Sequence, residues 1–193
     1  MNDFTFEVQH TSNTITELSN VLYNTKNSKK KVVWVLGSIF CLLLGTNIIG
    51  SISEPLNYLF LMLGCFALVF LNAPAKYQAE NIIEEFHKKN SPLPCSVFKF
   101  QNNRFTVSTK NYESKEDAHL YKDCHRLLMH KDALYYFLSK DAAFMFPISA
   151  LPSGQIEAFK SYLEKKTGLQ FTTMNQWWNV SLRSLFRQKK NTR

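Results

Sequence analysis

Hydrophobic positions along this chain recur every second residue, then every third or fourth, then every second again, with two long apolar stretches in between that have no polar rhythm. The alternation in "FTFEV" at 4–8 predicts a short strand, and Ile15, Leu18, Val21 and Leu22 then fall at helical spacing. Past the apolar stretches, Ala79, Ile82, Ile83 and Phe86 stand at i, i+3, i+4 and i+7, with acids and lysines opposite them. "SPLP" at 91–94 should stop that helix.

From Cys95 the period is two. Val97 alternates with the Phe98 and Phe100 face, Phe105 and Val107 alternate with polar neighbours, and Asn102-Asn103 between the two runs suits a tight turn with left-handed geometry. "AHLYKD", "CHRLLMH", "ALYYFLS" and "AAFMFPI" follow, parted by Lys131-Asp132 and Lys140-Asp141. Six short strands with brief connections predict an antiparallel meander. A closing helix opens after Ser153 as N-cap, carries Ile156, Phe159, Tyr162 and Leu163 as its apolar stripe, and stops at Gly168. Strands plus one terminal helix have the outline of a pleckstrin-homology-like barrel, and "FTFEV" can supply an extra strand.

The two apolar stretches change the picture most. Val32–Gly50 and Leu56–Ala75 hold no charged residue. Nineteen helical residues would rise about 28 Å, close to the roughly 30 Å hydrocarbon thickness of a bilayer. Ser51–Pro55 supplies a break, so the expectation is a hairpin of two transmembrane helices, 32–50 and 56–73. A hairpin packed in water would keep a polar face, and a cleaved signal would begin nearer the first residue. Lys26, Lys29, Lys30 and Lys31 before the first stretch, and Lys76, Lys88 and Lys89 after the second, place both termini in the cytoplasm of a multi-pass cell-membrane protein. Cys41, Cys65, Cys95 and Cys124 form no extracellular framework and are expected reduced.

The expected organisation is a strand and amphipathic helix at 1–31, the hairpin at 32–73, a juxtamembrane helix at 74–90, a β domain with its helix at 91–168, and a basic aromatic tail at 169–193. The fold class expected is thus an α+β membrane protein. This order, with "FKFQNNRFTVST", "LYKDCHRLLMHKDALYYFLSKDAAFMFPISALPSGQIEAFKSYL" and Pro147 after the last strand, resembles the YcxB-like membrane proteins of bacteria over residues 4–168. The resemblance implies two transmembrane helices and a cytosolic PH-like domain in an inner membrane, and it brings no catalytic residues and no cofactor.

Charge and candidate chemistry add less. A net charge of +8 and pI near 9.3 suit nucleic acid or an anionic surface; the excess near the apolar stretches and in the tail favours anionic headgroups and argues against nucleic acid. His119, Cys124, His125 and His130 are residue types that bind zinc, yet on a strand they divide between two faces, and no CxxC or HExxH is present. Cys95, His125 and Asp123 can be nominated for nucleophilic catalysis, without a GxSxG elbow to frame them. Tyr135, Tyr136, Phe137, Phe144 and Phe146 read as core and outer-face residues of strands before they read as a stacking platform.

Gly37, Cys41 and Gly45 sit four apart and form a small-residue face, for which Gly64 is the natural partner inside the hairpin; the same face suits a homodimer. In the tail, Trp178, Leu182, Leu185 and Phe186 recur at helical spacing. Trp177, Trp178, Arg183, Arg187, Lys189 and Lys190 are the expected contacts with a lipid surface or partner, against docking on the β domain or disorder. The functional expectation is a non-enzymatic, membrane-anchored binding or adaptor module. A structural homo-oligomer and a membrane enzyme using the His/Cys region are the alternatives.

Overall fold

Phe4, Phe6 and Val8 alternate with polar residues, so β1 (Thr5–Gln9) buries one face. The computed structural model describes residues 4–110, 116–151 and 154–174. β1 pairs antiparallel with β2 (Cys95–Phe100), β2 with β3 (Arg104–Thr109), and β3 with β4 (Asp117–Leu120). The register sets Phe98 between Phe6 and Val107, and Phe100 against Phe105, which lines one face of this sheet with rings. Asn102 and Asn103 make the β2–β3 turn with neither in the left-handed region; that conformation falls to Lys131, φ 49°, in a later turn.

A second sheet has the order β7-β6-β5-β8, from β5 (Arg126–His130), β6 (Ala133–Phe137), β7 (Ala143–Pro147) and β8 (Thr172–Thr173), the last parallel to β5. Every residue of β6 is buried, which a sheet achieves only when both faces are covered. One face gives Leu127, Leu134, Tyr136 and Phe146 to the main core, where Phe159 and Leu163 of α5 (Ile156–Thr167) join them. The other gives Leu128, Tyr135, Phe137 and Met145 to a second core under Val21 of α1 (Ser12–Lys26).

Local signals set the helix ends. Thr11 opens α1 with a capping box: its hydroxyl accepts from the Thr14 N–H, and the Thr14 hydroxyl accepts from the Thr11 N–H at 2.8 Å. Gly168, φ +71°, closes α5 and donates its N–H to the Glu164 carbonyl at 2.9 Å. Gln155 occupies the N-cap of α5, and Ser153 lies outside the described residues. α1 also packs on α4 (Ala73–Lys88), where Ala75 and Ala79 are fully buried.

Two expectations are corrected. The strands do not run as one meander closing a PH-like barrel: the ladder breaks after β4 at a 3-10 turn, Tyr121–Asp123, and resumes as a separate sheet with a parallel member. The two transmembrane helices are also overturned, because among the described residues no single helix is long and apolar enough to cross a membrane.

The first apolar stretch leaves the helix at Gly45, the end of α2 (Ser28–Gly45). Asn47 turns the chain at φ 56°, with its Oδ1 accepting from the Ile52 N–H at 3.2 Å. The charge-free helix is then Val32–Gly45, about 21 Å rather than 28 Å. The second stretch ends as α3 (Glu54–Val69) at a 3-10 turn, Phe70–Asn72. α3 and α4 have the length and composition of a broken span only when taken together across a 45° bend. Multi-pass membrane placement with both termini cytoplasmic loses its basis, since the lysine argument presupposes helices that cross.

Candidate functional site

α2 and α3 pack antiparallel, and glycine decides how closely. A Cβ on Gly45 would come within 2.7 Å of Leu61 Cγ and 2.9 Å of the Asn57 carbonyl oxygen; one on Gly64 would come within 2.8 Å of Leu42 Cγ and 3.0 Å of the Ser38 carbonyl oxygen. Gly45 and Gly64 therefore belong to the contact inside the hairpin. Gly37 does not, since a Cβ there meets nothing within 4 Å. Cys41 is half-buried beside it. The small-residue face of the sequence thus divides, Gly45 turned to α3 and Gly37 turned away.

Where Gly37 opens, Val33, Trp34 and Cys41 of α2 and Leu63 and Ala67 of α3 line a furrow of about 370 Å³. Ser38 also borders it, but its hydroxyl donates to the Trp34 carbonyl at 2.7 Å, which leaves the wall apolar. Around the furrow the hairpin exposes large apolar side chains. Of the residues from Val33 to Phe40 only Val35 and Ser38 are buried. On α3, Leu56, Leu59, Met62, Leu63, Phe66 and Val69 are exposed, Met62 to 68% and Val69 to 76%.

The lysines at the start of the hairpin, Lys26 before α2 and Lys30 and Lys31 in its first turn, have different surroundings. Lys26 is ion-paired with Asp141 at 2.6 Å. Lys31 is buried, donates to Asn24 Oδ1 and lies over the Tyr23 ring, and burial lowers its pKa. Lys30 is exposed and shares the helix face of Val33, Trp34, Gly37 and Cys41, at i+3, i+4, i+7 and i+11. That spacing was present in the sequence, but only the helix geometry connects it with Leu63 and Ala67.

The His/Cys region divides. His119 rests against the rings of Phe105 and Phe144, and His125 is exposed. Burial and then the Lys131 charge lower the His130 pKa. Burial pushes the Cys124 thiol up to about 11, and its Sγ donates to the Arg126 carbonyl, so it is a poor nucleophile at neutral pH. Cys95 begins a strand of the first sheet, whereas Asp123 and His125 lead into the second. Among the described residues no three His, Cys, Asp or Glu side chains are grouped to hold a metal.

The aromatic set is internal. Tyr136 and Phe146 are in the main core with Phe144 packed against it, and Tyr135 and Phe137 lie beneath α1. One pair was invisible in the sequence: His10 Nε2 lies 3.0 Å from Ser96 Oγ, 86 positions away, and burial lowers the His10 pKa. Among the described residues no acid is hydrogen-bonded to His10, and the pair ties the end of β1 to β2. Trp177, Trp178, Arg183, Arg187, Lys189 and Lys190 lie outside the described residues. The chain matches no family model, no curated protein and no solved structure, so the YcxB-like resemblance rests on the sequence features alone.

Proposed function

We propose that the chain is a non-enzymatic binding module held at a lipid surface by its α2–α3 hairpin. The observation that carries this reading is the breadth of apolar exposure on both helices, from Val33 to Phe40 and from Leu56 to Val69. Exposed apolar area on this scale needs a cover. A protein partner covers one face, whereas acyl chains cover a rounded surface of any outline.

The hairpin lies in the interface without crossing. Its apolar helices reach about 21–22 Å, and both ends are polar: Lys30 at one, and Ser51, Ser53 and Glu54 at the other. A carboxylate at the bilayer centre would cost about 2.5–3.5 kcal/mol, so Glu54 keeps the tip at headgroup level. The sheets and α5 then stand in water beside the lipid. Binding rather than catalysis agrees with a Cys124 thiol held protonated and with an aromatic set divided between two cores.

Flotation of the full-length chain with phospholipid vesicles tests this reading. The wild type is expected to float, and a variant with Phe40→Glu and Met62→Glu to stay at the bottom while keeping the same thermal unfolding. Equal flotation of both would contradict the reading.

A further inference from the structure

The furrow between α2 and α3 differs from the rest of the exposed hairpin in having depth and direction. Its floor is Gly37, where a Cβ would meet nothing within 4 Å. From Val33 to Cys41 it runs about 12 Å along α2, and its volume of about 370 Å³ is that of a small-ligand site. Helical side chains lean toward the N-terminus, so Val33 and Trp34 tilt toward the turn that carries exposed Lys30. The result is an apolar slot with a cation at one end on the same helix face.

We propose that this furrow holds one acyl chain of an anionic phospholipid, with the lipid phosphate against Lys30. The proposal rests on the lipid-surface reading and adds a preferred lipid to it. A neutral chain would fill the slot but leave Lys30 without a complementary charge. A free phosphate would satisfy Lys30 and leave the slot empty. An anionic phospholipid satisfies both, since a lysine near an anionic lipid surface favours it about fivefold.

The test uses the full-length chain with Trp177→Phe and Trp178→Phe. Three tryptophans are present in all, so Trp34 becomes the sole one. Phosphatidylcholine vesicles receive a minor fraction of either phosphatidylglycerol or phosphatidylcholine with brominated chains, and bromine quenches the Trp34 emission on contact. Phosphatidylglycerol is expected to quench about fivefold more effectively. Gly37→Leu, whose Cβ meets nothing within 4 Å and whose side chain fills the furrow without altering a charge, should remove that difference while the chain still floats.

A difference that survives Gly37→Leu would overturn the proposal in favour of headgroup attraction alone. Equal quenching by both lipids would overturn it in favour of bulk hydrocarbon contact and leave the lipid-surface reading standing. An unquenched Trp34 in a floating dimer would assign the furrow to a second copy. No quenching in a chain that does not float would overturn both readings.

Discussion

Phe159 and Phe40 are the same residue type in opposite circumstances. Phe159 is fully buried, with the rings of Phe4, Phe6, Phe100 and Phe146 within 5.8 Å of its own, so it joins both sheets to α5. Phe40, on α2, is 57% exposed. Across the β region, alternation sends most of the large apolar side chains to one of two cores. Across the hairpin, the partner helix takes a narrow stripe and leaves the remaining side chains outside. The hydrophobic effect stabilises the first region within the chain; in the second it is left to act between the chain and its surroundings.

Paired substitutions break or sharpen that contrast. Phe159→Ala should destabilise the chain by about 3–5 kcal/mol, as large-to-small changes in cores do, whereas Phe40→Ala should stay within about 0.5 kcal/mol. Chemical unfolding in the absence of lipid reads both, and equal costs would place the hairpin surface inside a core. Next in size is Gly64→Ala, which drives a Cβ to 2.8 Å from Leu42 Cγ and should cost about 1–3 kcal/mol. Gly37→Ala meets open space and should instead stabilise α2 by about 0.5–1 kcal/mol.

At Tyr135 no loss of stability is expected. Its hydroxyl is buried with no hydrogen-bond partner among the described residues, and burial raises its pKa, with the Glu17 charge second. An unsatisfied buried hydroxyl is a liability of about 1–3 kcal/mol, so Tyr135→Phe should leave thermal stability equal or higher. A clear drop in the melting temperature would show that the hydroxyl is paired.

Much of the β region is legible in the sequence because side-chain period two maps directly onto a strand's two faces. The alternation at Phe4, Phe6 and Val8 places β1, and Gly168 marks the end of α5. The pairing of strands is not legible. Nothing local says that the ladder breaks at Tyr121–Asp123, or that Thr172–Thr173 returns parallel to β5. Apolar outer-face residues such as Tyr135 and Phe137 hint that something covers them, but that α1 does so is a tertiary fact.

In the hairpin, the charge-free stretch overstated the helix. Absence of charge says nothing about where the backbone turns: the helix stops at Gly45, five residues before the expected end at Gly50, and Asn47 turns the chain. The small-residue face was visible from its spacing. Its division, with Gly45 against Leu61 and Gly37 over the furrow, depends on the crossing of two helices.

The most direct test of the central claim, that the hairpin lies in a lipid interface without crossing, is the accessibility of its tip. A chain carrying Ser51→Cys, with its four cysteines replaced by alanine, is added to preformed vesicles and treated with a membrane-impermeant thiol reagent. Labelling from the outer side, with none from reagent enclosed in the lumen, is the expected result. A tip protected from outside and labelled from the lumen would show that the hairpin crosses, and would contradict the account.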